Sequence, residues 1–92
     1  MKGIFKVVAQ GEPFVVQSQK AENGQLKKSI LTLQEIGGKY ENTYAVTLLG
    51  GMAEFRFYPG ECVFAALHFA VREYNGQVYQ DIVVNEIIKV KS

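Results

Sequence analysis

The pair Asn75-Gly76, set between Tyr74 and the β-branched run from Val78 to Val90, constrains this chain more than any other feature. Asn-Gly is the strongest short signal for a two-residue hairpin, because the tight turn that matches strand twist needs a positive φ at both central residues. A strand after such a turn requires a strand before it. The preceding segment, Glu61 to Tyr74, is otherwise ambiguous: Val63, Ala66, Leu67, Ala70 and Val71 sit at helical spacing, and alanine favours helix. The hairpin decides for a strand. Alternation then puts Val63, Ala65, Leu67, Phe69 and Val71 on one face, expected to be interior, and Phe64, Ala66, His68, Ala70, Arg72 and Tyr74 on the other.

The remaining text supplies three more strands. Ile4 to Val16 is rich in Val and Phe and is interrupted by Gly11, Glu12 and Pro13, which predicts one long first strand with a bulge. Gln19 to Gln25 has the chemistry of an exposed loop, with a turn at Asn23-Gly24. A second strand follows, in which Ile30, Thr32 and Gln34 alternate with Leu31, Leu33 and Glu35. After Gly37-Gly38, Thr43 to Leu49 reads as a third strand, with Tyr44, Val46 and Leu48 on one face. Gly50-Gly51 ends it, Met52 to Tyr58 predicts a short helix or irregular turn, and Pro59-Gly60 turns the chain again. Five strands with one irregular stretch between the third and fourth suit a small all-β barrel.

With 92 residues, 48% of them hydrophobic, the chain suffices for one core and is expected to be a single domain over residues 1–92. The net charge of +1 offers no broad basic field, so any nucleic-acid reading rests on local patterning. The single cysteine, Cys62, has no internal disulfide partner, and the N-terminus lacks a secretory pattern, which favours a reducing cytoplasmic setting. No apolar run approaches the roughly 20 residues of a spanning helix, so no membrane partner is expected.

Catalysis is not expected. A nucleophile and its base must lie within hydrogen-bond reach, and the only thiol and imidazole, Cys62 and His68, are about 20 Å apart along one strand. The chain has no second cysteine or histidine for zinc, no phosphate loop and one aspartate, Asp81, so neither metal nor cofactor is expected.

Several short pieces, in order, resemble the bacterial single-stranded-DNA-binding protein family. They are Leu48-Leu49-Gly50-Gly51-Met52-Ala53-Glu54, Pro59-Gly60-Glu61-Cys62-Val63-Phe64, Arg72-Glu73-Tyr74 and Ile82-Val83-Val84-Asn85, together spanning about the second half of the chain. The resemblance implies a five-stranded oligonucleotide/oligosaccharide-binding (OB) fold whose groove, across strands two and three and the last hairpin, holds single-stranded DNA by stacking and phosphate contacts. Two features depart from the family: Thr43 and Leu49 stand where it often has tryptophan and phenylalanine, and the sequence ends at Lys89-Val90-Lys91-Ser92 where it has an acidic tail. The chain is therefore similar to a short form of that family, or to primosomal replication proteins of the same fold.

The candidate DNA-binding residues are Lys28, Tyr40, Arg56, Arg72, Tyr74 and Tyr79. The resemblance places Arg72 and Tyr74 where the family has a cation and a stacking aromatic; their plain alternatives are a strand-end charge paired with Asp81 and a hairpin tyrosine. Tyr40, beside Lys39, suits a stacking loop or a barrel cap. Lys27 and Lys28 point to opposite faces, so one at most faces a groove. Arg56, among Phe55, Phe57 and Tyr58, suits a contact point or a capping turn. Tyr79 suits a stacking platform with Tyr74 or a cross-strand pair that only steadies the hairpin. His68 reads as a packed or interface side chain. Apolar residues on both faces of the fourth strand predict a homo-oligomer, dimer or tetramer, with replication or recombination proteins as further partners. A rival expectation is a protein-interaction subunit, or a primosome-like accessory factor, with weak or no DNA binding.

Overall fold

The computed structural model describes residues 1–17, 24–37 and 42–90. Six strands form: β1 (Lys2–Gln10), β2 (Phe14–Gln17), β3 (Gln25–Glu35), β4 (Thr43–Leu49), β5 (Cys62–Tyr74) and β6 (Gln77–Lys89). A 3₁₀ turn over Gly50–Glu54 follows β4. Strand order is β1-β5-β6-β4-β3-β2, and β1 also pairs with β3, so five strands close into a barrel and β2 is an added edge. All pairings are antiparallel except β4 with β6, joined at Thr47 and Val83.

The expected long first strand is two strands. Its bulge falls earlier than the sequence suggests, between Val7 and Ala9, and Gly11 to Pro13 form a true break. The Gly11 N–H still donates to Ile30 O at 2.9 Å; Pro13, having no N–H, interrupts the ladder on β3, which resumes at Phe14 opposite Lys28. The bulge reverses the alternation of β1: Phe5 and Val7 point into the barrel, and beyond Val8 it is Gln10 that aligns with inward Leu31.

Inward residues of every barrel strand meet in one core, with Phe5, Val7, Leu31, Leu33, Val46, Leu48, Val63, Ala65, Leu67 and Val84 buried. Phe5 meets Tyr44 edge to face at 6.2 Å. Ala53 from the 3₁₀ turn and Phe57 from the segment after it are buried as a plug at one end. Gln10 holds that plug: its Nε2 donates to Phe55 O at 2.7 Å, and its Oε1 accepts from the Phe57 N–H at 2.9 Å. Lys89 lies 5.5 Å from the Phe57 ring centroid and pairs with Glu61 at 3.5 Å.

The choice of strand for residues 62–74 holds, and the hairpin turns as expected, with φ of 53° at Asn75 and 77° at Gly76. The expected interior face does not extend along all of it. Phe69 is 46% and Val71 70% exposed, because β1 pairs with β5 only from Cys62 to Ala66, Met1 reaches no further than Leu67, and beyond that β6 is the sole strand partner among the described residues. The distal half of the hairpin is an arm that leaves the barrel.

Candidate nucleic-acid interface

Strand register assembles the outer face of the sheet. On β3, Ser29, Leu31 and Leu33 are buried, so Lys28, Ile30, Thr32 and Gln34 face outward. Across from them on β4 stand Leu49, Thr47, Ala45 and Thr43 in that order. Thr47 bridges to Val83 of β6, and Val83 is opposite His68 of β5, so Ile30, Thr47, Val83 and His68 form one row across four strands. His68 Nδ1 shares a hydrogen bond with Asn85 Oδ1 at 2.5 Å. Asn85 is the extra residue of a β6 bulge between the pairs Ala66–Glu86 and Leu67–Val84.

Lys28 occupies one end of this surface. Phe14 of β2 and Leu49 of β4 are its direct cross-strand neighbours, and Phe14 is 45% exposed. Among the described residues, Lys2, Lys6 and Lys28 are the basic side chains outside every ion pair, and only Lys28 lies on the β3–β4 face. Its neighbour Lys27 points the other way and bonds Glu54 of the 3₁₀ turn at 2.5 Å, which with the lysine charge holds the Glu54 carboxyl below the ordinary carboxylate value.

The arm carries the other cation. Arg72 is directly opposite Tyr79; its guanidinium carbon lies 5.5 Å from the ring centroid, and its Nε pairs with Asp81 Oδ2 at 3.1 Å. Tyr79 Oη donates to Gln77 Oε1 at 2.5 Å, which fixes the ring. Lys28 and the Arg72–Tyr79 pair share the outer face and lie at opposite ends of it, about 20 Å apart along the strands.

The sequence candidates thus separate. Lys28, Arg72 and Tyr79 share the outer face. Arg56 lies beyond the 3₁₀ turn, where it pairs with Glu12 at 3.2 Å, so its charge is partly engaged at the barrel end. Register sets Tyr79 against Arg72, while the Tyr74 backbone is opposite Gln77. Tyr40 and the Tyr74 side chain lie outside the described residues. Sequence reasoning missed Phe14, Ile30 and Val83. For Phe14 a signal was present: Pro13 marks a sheet edge, and an aromatic just after it is placed on an edge strand.

Tyr44 closes the end of β4 nearest the arm. Its Oη donates to Glu35 Oε1 at 2.6 Å, and that bond, with the carboxylate charge beside it, raises the phenol above its ordinary value.

No protein-family model matches this chain. A search of curated proteins also returned no match. Among solved structures, the second OB-fold domain of replication protein A from Methanococcus maripaludis superposes with a TM-score of 0.69 at 17% identity, over 99% of this chain and 83% of that one. The barrel is an OB fold. The likeness to the bacterial single-stranded-DNA-binding family accordingly stands at the level of this fold. The β3–β4 face and the β5–β6 hairpin correspond in position to the surface and loop through which OB folds in general bind oligonucleotides and oligosaccharides. The described residues hold no cluster of metal-ligating side chains, and no helix among them is long and apolar enough to cross a membrane.

Proposed function

We propose that this OB domain binds single-stranded DNA with little sequence preference, along the outer face of β3 and β4 and onto the β5–β6 arm. The observation that carries this reading is Lys28, outside every ion pair among the described residues and flanked by the exposed ring of Phe14, at one end of a face whose other end holds Arg72 over Tyr79. A cation next to an exposed ring is the unit that single-strand binding repeats: the ring stacks on a base, whatever the base, and the cation takes the adjoining phosphate. Between the two ends, Ile30, Thr47 and Val83 give a floor without charge, on which bases can lie. Tyr40 and Tyr74 are proposed as further stacking residues and Arg56 as a marginal phosphate contact.

A role in replication, recombination or repair accords with the likeness to a domain of replication protein A. The domain is proposed to work in the cytoplasm as a homo-oligomer, which would join several short grooves into one path. The test is fluorescence anisotropy of a labelled oligothymidine of about 30 nucleotides, long enough for one to several OB domains, with a duplex control. Binding that weakens with salt and spares the duplex is the expected result; no binding at low salt would sink the proposal.

A second reading has its own observation. On the other face of the arm, Phe69, Val71 at 70% exposure and Val78 at 69% form an apolar strip. That strip favours an OB-fold interaction subunit, whose arm docks on a replication or recombination protein. Absent DNA binding together with retained association of such a partner would select it.

A further inference from the structure

The outer surface of β1 and of the barrel halves of β5 and β6 adjoins the β3–β4 face, and register orders it into three rows. Lys2, Ala66 and Glu86 form the first; Ile4, Phe64 and Ile88 the second; Lys6, Cys62 and Val90 the third, where the Val90 N–H donates to Cys62 O at 2.9 Å. Ile4 and Ile88 are each 53% exposed, and Phe64 between them is half-buried. Lys2 and Glu86 are exposed and belong to no ion pair among the described residues. They flank β5 on its two sides, about 10 Å apart at ordinary strand spacing, and do not pair with each other within the chain.

We propose that this face is the contact between two copies of the chain, related by a two-fold axis running along β5. The inference rests on the homo-oligomer reading above and does not depend on DNA binding. Such an axis exchanges β1 with β6 and keeps each row in place. Lys2 then faces Glu86 of the second copy, and Glu86 faces its Lys2. Ile4 meets Ile88 twice, and Phe64 meets its own copy at the axis.

Charge selects this axis. A two-fold axis across the strands would exchange the first and third rows and set Lys2 against Lys6, a like-charge contact at each end. Curvature fits as well: a barrel face falls away on either side of its central strand, so the centre needs only the Phe64 rings while long Lys and Glu side chains bridge the widening flanks. The nine positions cover about 300 Å² of sheet, against roughly 800 Å² per partner in a standard interface, so the dimer is expected to be reversible.

The experiment is sedimentation equilibrium of the whole chain up to about 0.1 mM, a range suited to a weak, small interface. Wild type is expected to dimerise. Lys2→Glu and Glu86→Lys each turn two attractive contacts into repulsive ones and should raise the dimer Kd about ten-fold, exposed pairs being individually weak. The double swap rebuilds both pairs and should return the Kd to within about three-fold of wild type. Both positions are exposed, so the barrel keeps its core. Cys62 gives an independent readout: it lies on the axis, and a short dimaleimide should join two wild-type chains and join Lys2→Glu chains markedly less at the same concentration. A monomer throughout would overturn the homo-oligomer and this face together. A dimer indifferent to the single swaps, or not restored by the double swap, would overturn the face and leave the homo-oligomer standing.

Discussion

Arg72 lies over the ring of Tyr79, 5.5 Å from its centroid, while Asp81 holds its Nε at 3.1 Å. The ion pair engages Nε, which leaves the terminal nitrogens positioned for a phosphate. Tyr79→Ala should weaken oligothymidine binding about ten-fold, within the roughly 1 to 3 kcal/mol per stacked base, and Tyr79→Phe should leave it nearly unchanged. An unaltered affinity for Tyr79→Ala, read by anisotropy, would remove the arm from the interface.

Asp81 places a negative charge where the phosphates would run. Asp81→Asn relieves that repulsion and releases Arg72, so affinity at low salt should rise several-fold. Arg72→Ala should lower both affinity and the slope of log K against log salt, by about 0.7 for one lost phosphate contact on a single strand. A salt titration of the two variants separates these effects.

At the other end of the face, Phe14→Ala and Lys28→Ala should act differently. Loss of the ring lowers affinity about ten-fold with the salt slope kept; loss of the charge reduces the slope by about 0.7. Equal slopes in wild type and Lys28→Ala would show that no phosphate sits there.

Two buried positions predict opposite stability changes. Leu33 is fully enclosed, and Leu33→Ala should cost about 2 to 5 kcal/mol in chemical denaturation. Ser29 is also fully buried, yet its hydroxyl has no hydrogen-bond partner among the described residues. Ser29→Ala removes that unpaired group and should raise stability by about 1 kcal/mol. A marked loss in Ser29→Ala would mean that the hydroxyl is satisfied in solution.

The pH limits follow from two side chains. Glu54 is held below its ordinary value by Lys27, so its contribution is present above the unfolded carboxylate pKa and is lost as pH falls through the lower folded one. Glu54→Gln should flatten the acid limb of the stability profile. Tyr44 is shifted upward by Glu35, so its contribution is present below the unfolded phenol value and is lost as pH rises through the higher folded one. Tyr44→Phe should flatten the alkaline limb; melting curves against pH check both.

Local chemistry by itself determined much of this protein. Asn75-Gly76 demands positive φ at two successive residues, and that demand alone turned Cys62–Tyr74 from an ambiguous segment into a strand. Thr43–Leu49 was legible because period-two alternation needs no partner to be seen. Only the tertiary structure decided the rest. Phe69 and Val71 alternate like core residues, yet they are exposed, because burial depends on whether another strand lies across them and β1 stops at Ala66. Phe14 became a neighbour of Lys28, and Lys2 a flank opposite Glu86, through register between strands far apart in the chain. Periodicity states which way a side chain points from its own strand; what it then faces is set by long-range pairing, which no local pattern encodes.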